Sequence, residues 1–440
     1  MEVGMSSYIR RKTPGNTDWF VHDRFGMFIH WGLYSMPARH EWVKSNERLT
    51  TEQYSKYFKY FNPDMYDAKE WAKRAKDAGM KYAVMTTRHH EGFSMFDTQY
   101  SDYKCTNTPA GRDLIKEYVE AFRAEGLKVG FYYSLLDWYH EDYTLDRCHP
   151  QRDIPDGDKF NEGRDMHRYA EFMRNQVREL LTNYGKIDIL WFDFSIGAEE
   201  NDRPCWQAKG AKEWEAEELI KLARSLQPGI IIDNRAGIKQ DIWTPEQYQP
   251  LEWVRYATTG ELVTWEACQT FSGSWGYHRD ESTWKSPEML IQMLINTVCI
   301  GGNLLMNVGP TARGYFDERA NTALDVYAKW MKFNGRSIYG CTMAEPEFVA
   351  PRGCRLTQSE DGKRLYVHLI EYPYSFLELS GFAGKVDYAQ FLHDGSEIKM
   401  REGETGHFSE GQTKDETKLV LSIPPVKPNM IVPVIELFLK

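Results

Sequence analysis

Along residues 19–340, short apolar runs alternate with stretches in which apolar positions recur every three to four residues, the pattern of an α/β fold. The runs predict strands over Gly26–Trp31, Tyr82–Thr87, Val129–Ser134, Ile187–Phe192, Gly229–Asp233, Val263–Cys268 and Asn303–Val308. Between them, Met65, Ala68, Trp71, Ala72, Ala75 and Ala78 share one face of a helix over Met65–Met80, with Asp64 as the expected N-cap. Met166, Tyr169, Met173, Val177 and Leu180 trace a second helical stripe. Leu114–Glu125 and Trp214–Leu226 read as helices that stop at Gly or Pro-Gly. Seven strands that each hand over to a polar loop predict a (β/α)8-like TIM barrel. An open doubly wound sheet is the alternative, but no Gly-x-Gly-x-x-Gly follows any strand. After Gly340 the pattern changes to short alternating runs, among them Leu365–Ile370, Leu419–Ile423 and Ile431–Phe438, separated by Gly, Pro and Asp-Gly turns. The expected organisation is therefore a barrel over 1–340 and a C-terminal β-sandwich over 341–440.

Composition narrows the function classes. The chain has 440 residues and a net charge of −10, with a pI near 5.7. That balance argues against a nucleic-acid backbone or an anionic membrane surface as the main partner. No apolar run is long enough to span a bilayer. The seven cysteines form no CxxC pair, so neither a disulfide framework nor a structural zinc site is suggested. The polar N-terminus lacks the apolar core of a secretory signal, and no Asn-x-Ser/Thr sequon occurs. A bacterial protein of the cytoplasm is expected, or a periplasmic or secreted one whose signal has been removed. Aromatic residues make up 14% of the chain, which suits either a large core or a site that grips the flat apolar faces of sugars.

Chemistry gathers at the strand C-terminal ends. The first strand gives Phe28-Ile-His-Trp31 and the second Arg88-His-His-Glu-Gly-Phe93; the third ends in Tyr132-Tyr133-Ser134 and the fourth in Trp191-Phe-Asp193. Further on stand Asp233-Asn-Arg235, Asp241-Ile-Trp-Thr-Pro-Glu246, Trp265-Glu266 and Trp275. Barrel enzymes place their catalytic groups there. Each residue also has a structural reading. In the His89-His90 tandem, strand alternation would turn at most one ring to the core. Asp193 closes an apolar run, and its alternative is a buried ion pair with an arginine. Glu246 could be a solvated loop carboxylate, and Trp31, Trp42, Trp191, Trp265 and Trp275 could be core.

Two carboxylates on different loops amid His, Arg and Trp fit glycoside hydrolysis, which requires no metal or cofactor. A metal-dependent barrel hydrolase would use His30, His89, His90 and Asp193 as ligands. Against it, the first strand offers one His followed by Trp-Gly, and strands four to six end without a further His. A carbohydrate-binding protein without catalysis would leave a buried Asp193 without a purpose.

The segments Phe25-Gly-Met-Phe-Ile-His-Trp-Gly32, Arg88-His-His-Glu-Gly-Phe93, Asp188-Ile-Leu-Trp-Phe-Asp193 and Gly301-Gly-Asn-Leu-Leu-Met-Asn-Val-Gly-Pro310 resemble the signature segments of α-L-fucosidases of glycoside hydrolase family 29, in family order. The resemblance implies a barrel followed by a β-sandwich and a retaining exo-α-L-fucosidase acting on a fucosylated oligosaccharide or glycoconjugate. It assigns Asp193 as nucleophile and places His30, Glu41, Trp42, His89, His90, Tyr133, Trp191 and Arg235 around the sugar. Trp275, from the strand-end pattern, is a further substrate-binding candidate. Asp241-Ile-Trp-Thr-Pro-Glu246 is similar to the segment that carries the acid/base in broad-specificity members. The Gly-Asn-Glu segment of the restricted members is absent, and Gln269–Ser274 holds no carboxylate. Glu246 is the expected acid/base, with Glu266 and Glu281 in reserve. An α-L-galactoside, which differs only at C6, is the nearest alternative substrate. The loop Tyr139–Arg164 is expected to shape the leaving-group side, and the β-domain to cover the barrel.

Overall fold

The computed structural model describes residues 8–195, 209–403 and 415–440. The loop Gly197–Lys212, which stands between Asp193 and Glu246 in the sequence, lies mostly outside them, as does Cys205.

Seven parallel strands form one curled sheet: β1 (Phe25–Ile29), β2 (Tyr82–Arg88), β3 (Lys128–Ser134), β4 (Ile189–Asp193), β5 (Ile231–Ile232), β6 (Glu266–Thr270) and β7 (Asn303–Val308). Their spatial order is β5-β4-β3-β2-β1-β7-β6. Between the two edges runs the segment 241–247, through single parallel bridges Asp233–Ile242, Trp243–Trp265 and Glu246–Cys268.

These strands are buried along almost their whole length because both faces are covered. Alternate residues separate cleanly. Phe28, Tyr82, Val84, Tyr132, Ile189, Trp191, Cys268 and Leu305 share an inner cluster. Met27, Ala83, Phe131, Tyr133, Phe192 and Met306 belong to the outer core under the helices. Gly26 makes room inside: a Cβ there would stand 2.3 Å from the Tyr82 ring.

Four helices match the apolar stripes: Ala68–Asp77, Leu114–Ala124, Met166–Asn183 and Ala216–Leu226. The first is capped by Asp67, whose side chain accepts from the Lys69 and Glu70 amides, and not by Asp64, which pairs with Arg313. Among the described residues, no helix is long and apolar enough to cross a membrane.

From residue 341 the described chain is antiparallel. One sheet joins β8 (Cys341–Met343), β9 (Cys354–Ser359), β10 (Arg364–Leu369), β12 (Val386–Phe391) and β15 (Val434–Leu439); the other joins β11 (Phe376–Leu379), β13 (Met400–Glu402) and β14 (Leu419–Ser422). Leu356, Leu365, Val367, Leu379, Leu421 and Leu437 from both sheets share one core. Tyr366 is buried, while Tyr374 and Phe376 are exposed. The domain leans on the parallel sheet through Arg24, which donates from Nε to the Cys341 carbonyl at 2.8 Å and from Nη1 to the Gly301 carbonyl at 2.7 Å.

Candidate active site

At the C-terminal ends of the parallel strands lies a pocket lined by Phe28, His30, Glu41, Trp42, His89, His90, Tyr132, Trp191, Asp193, Phe194, Arg235, Glu246, Cys268 and Trp275. Aromatic walls with a few convergent polar groups are the make-up of a small-molecule site.

Asp193 is the last residue of β4 and is 8% exposed. Its Oδ2 accepts from the Tyr132 hydroxyl at 2.6 Å and its Oδ1 from Arg235 Nη1 at 3.0 Å. Burial pushes its pKa above the ordinary carboxylate value, against the Arg235 charge and the Tyr132 hydrogen bond. The same Nη1 donates to Glu246 Oε2 at 2.7 Å. The shared nitrogen keeps Asp193 Oδ1 and Glu246 Oε2 close together. Glu246 stands at the rim, its side chain 45% exposed.

Arg235 is clamped: Nε donates to Thr244 Oγ1 at 3.0 Å, Nη2 to the Thr244 carbonyl at 3.1 Å, and the guanidinium lies 4.5 Å from the Trp191 ring centre. The residue after each of these two carboxylates takes a left-handed backbone, Phe194 at φ 83° and Gln247 at φ 50°. Local strain of this kind collects at functional sites.

Three imidazoles line the same pocket, and His90 Nε2 lies 3.7 Å from Asp193 Oδ2. His30 Nδ1 meets Asn307 Oδ1 at 2.7 Å, and the Asn307 amide is oriented by donating to the Trp275 carbonyl at 2.7 Å. His90 Nδ1 meets Ser134 Oγ at 2.7 Å, whose own proton goes to the Leu136 carbonyl at 2.8 Å. Both Nδ1 atoms are therefore donors. Burial, together with the neighbouring His89, pushes the pKa of each ring well below its ordinary value. Neutral rings protonated on Nδ1 leave Nε2 as an acceptor for a ligand hydroxyl. Glu41 Oε2 ties the opposite loop down by accepting from the Gly276 amide at 2.9 Å. Trp42 meets His90 edge-on at 5.0 Å. Among the described residues, no group of three or more His, Cys, Asp or Glu is arranged to hold a metal ion. His30, His89, His90 and Asp193 thus do not form the ligand set of the metal-hydrolase reading.

The family model for alpha-L-fucosidase matches residues 6–336. The chain belongs to the α-L-fucosidase family, glycoside hydrolase family 29. It is 30% identical to human plasma alpha-L-fucosidase over 352 residues, covering 73% of this chain and 68% of that protein. Among solved structures it is similar to alpha-L-fucosidase isoenzyme 1 from Paenibacillus thiaminolyticus, at 44% identity and a TM-score of 0.87 over 97% of this chain and 99% of that one. It is also similar to a family 29 alpha-L-fucosidase from Bacteroides thetaiotaomicron solved as a trapped covalent intermediate, at 28% identity and a TM-score of 0.80 over 100% and 99% of the two chains.

In this family member the sequence-predicted residues converge, with one exception. Tyr133 does not reach the pocket; its hydroxyl donates to Gln176 Oε1 at 2.9 Å on the outer face, and Arg88 packs over its ring. Tyr132 takes the inner position, because neighbours in a strand point to opposite faces. That same alternation does not govern His89 and His90. Strand β2 ends at Arg88, and both rings turn into the pocket with centroids 4.0 Å apart.

The two reserve carboxylates are elsewhere. Glu266 is buried beneath the pocket, accepting from the Tyr82 hydroxyl at 2.5 Å. Glu281 is held by Ser274 and Thr283 away from the pocket wall. Trp31 and Trp265 are core, whereas Trp42, Trp191 and Trp275 line the pocket. Sequence reading missed Phe28, Phe194, Cys268 and the supporting Asn307. Phe28 was findable, standing two residues before His30 on the same strand face. The loop Tyr139–Arg164 supplies no lining residue; it packs behind Trp42, where the Ser45 hydroxyl donates to the Cys148 carbonyl at 2.7 Å.

Proposed function

We propose that this chain is a retaining exo-α-L-fucosidase in which Asp193 is the nucleophile and Glu246 the acid/base. Asp193 attacks the anomeric carbon as the C1–O bond breaks, and Glu246 gives its proton to the departing oxygen. The fucosyl ester on Asp193 is then opened by water, whose proton Glu246 takes up. The observation that carries this reading is the single guanidinium nitrogen shared by Asp193 and Glu246, which keeps one oxygen of each carboxylate close to the other, in keeping with a retaining pair. Esterification removes the Asp193 charge and leaves the shared Arg235 nitrogen to Glu246 alone. His30 and His90 accept hydroxyl protons of the sugar, and Trp275 offers an apolar face. With Glu246 at an open rim, the leaving group stands outside the pocket, in keeping with varied fucosylated oligosaccharides and glycoconjugates.

The same reading extends to the architecture. The bridges at Ile242, Trp243 and Glu246 support a barrel of the (β/α)8 type whose eighth stave is the segment 241–247. The division into residues 1–340 and 341–440 follows the change from parallel to antiparallel pairing.

The test is hydrolysis of 4-nitrophenyl α-L-fucoside followed by proton NMR of the first-formed sugar. Wild type should release α-fucose. Asp193→Ala should be inactive and recover with azide, giving β-fucosyl azide. Glu246→Ala should lose about 10²–10⁴-fold on a fucosylated glycan with a poor leaving group. First-formed β-fucose, or full activity in Asp193→Ala, would overturn the assignment.

A further inference from the structure

Among the described residues, His89 is the one imidazole of the three without a hydrogen bond at Nδ1, although that atom is fully buried. Both carboxylate oxygens of Glu91 are likewise buried with no hydrogen-bonding partner among the described residues, and the residue is 1% exposed. Leaving such groups unpaired is costly. The two lie side by side, with Glu91 Oε2 3.4 Å from His89 Nδ1, so that a small turn of the ring or the carboxylate closes a hydrogen bond.

The carboxylate has a built seat. A Cβ on Gly32 would lie 2.8 Å from Glu91 Oε1 and 2.7 Å from the Tyr34 ring, so the loop after β1 leaves space that the carboxylate fills. Gly32 is extended at φ −179°, so its lack of a side chain serves this space and not the backbone. Lys44 is buried nearby, donating to the Trp138 carbonyl at 3.0 Å. Burial pulls its pKa down to about 8, opposed by the charges of Asp137 and Glu91.

We propose that Glu91 is a positioning residue for the sugar pocket: its carboxylate takes the His89 Nδ1–H, fixes that tautomer and turns the Nε2 lone pair toward the bound sugar. Asn307 does this for His30 and Ser134 for His90, both with neutral oxygens. A carboxylate partner makes His89 the strongest acceptor of the three, because it favours the positive charge that the ring gains as it draws a hydroxyl proton. The inference rests on the glycosidase reading only for the identity of the ligand.

The test reads the tautomer in the ligand-free protein, so its failure is distinct from failure of the fucosidase assignment. Protein labelled with ¹⁵N-histidine is compared as wild type, Glu91→Gln and Gly32→Ala by long-range ¹H–¹⁵N correlation, with thermal melts as the check on folding. Wild type should show His89 protonated on Nδ1, with that proton strongly downfield. Glu91→Gln should keep the tautomer but move the proton upfield, and Gly32→Ala should do the same by displacing the carboxylate. In both variants KM for the fucoside should rise about tenfold with kcat within about threefold. A wild-type His89 protonated on Nε2, or folded variants with unchanged His89 signals and unchanged KM, would overturn the proposal.

Discussion

Tyr132 and Tyr133 are neighbours of one residue type whose removal should have opposite consequences. Tyr132 donates to the carboxylate of Asp193, the proposed nucleophile, at 2.6 Å. A hydrogen bond to a charged group contributes about 1.5–3 kcal/mol, so Tyr132→Phe should lower kcat/KM by roughly 10–100-fold. Burial already raises the Asp193 pKa, and the Tyr132 hydroxyl opposes that rise. Its loss lifts the pKa further, and because a nucleophilic Asp193 would react as the carboxylate, the acid limb of the kcat/KM profile should move to higher pH. Tyr133→Phe breaks a bond to Gln176 outside the sheet and should cost about 1 kcal/mol of stability with the profile unmoved. A pH–rate series on both variants checks this; equal effects would mean that the inner and outer faces are misassigned. The pair also marks what was legible at this scale. Polar residues at strand ends announced themselves in the sequence, and Asp193, Arg235, Glu246 and the histidines meet in one pocket. The parity of Tyr132 and Tyr133 was not legible, because Phe131 to Ser134 is buried on both sides and carries no polar alternation.

At the scale of elements, β2, β6 and β7 meet inside the sheet around a carboxyl that takes no part in the proposed chemistry. Glu266 accepts from Tyr82, and Asn303 donates to the Tyr82 hydroxyl at 3.3 Å. Burial pushes the Glu266 pKa from 4.5 up to about 7, opposed by Tyr82 and the Trp191 indole. The folded state therefore holds a proton that the unfolded chain gives up. Its stabilising effect is complete below pH ~4.5 and is lost as pH rises to about 7, an amount on the order of 3 kcal/mol. Glu266→Gln keeps an acceptor for Tyr82 and removes the titration. Its Tm relative to wild type should rise by about 3 °C between pH 5 and pH 8. Parallel melts at the two pH values decide, and a constant difference would refute the raised pKa. Element boundaries were legible where strands are long and apolar: Asn303–Val308 forms as expected. They were not where closure of the sheet is irregular. The run expected over Gly229–Asp233 shortens to Ile231–Ile232, and the next strand shifts from Val263–Cys268 to Glu266–Thr270, since the segment 241–247 pairs in between. Helices over Pro287–Val298 and Glu318–Asn334 were not singled out, the first being apolar on most of its surface.

For the whole molecule, the described strands pair antiparallel from Cys341 on, and nothing in the sequence pattern showed how firmly that region is joined to the parallel sheet. Cys341, Tyr366, Leu392, Val432 and Val434 pack within the same core as the parallel sheet and its helices, apart from the core that the two antiparallel sheets share. Polar links reinforce the seam: the Trp330 indole donates to the Val432 carbonyl at 3.2 Å, and Arg336 pairs with Glu436 at 2.8 Å. Arg24 is buried and spends its donors on carbonyls from both sides of the seam. Cutting the chain after residue 340 would bare this apolar surface and leave one guanidinium donor without its acceptor deep in the structure, a combination that costs several kcal/mol. That is a large share of a typical folding free energy. The fragment 1–340 should accordingly be insoluble, or melt more than about 10 °C below the full chain, although every pocket residue is present in it. Scanning calorimetry of the full chain should show one transition for both regions. A soluble 1–340 fragment with full fucosidase activity would instead make the C-terminal domain an independent module, and its exposed Tyr374 and Phe376 the place to look for a separate role.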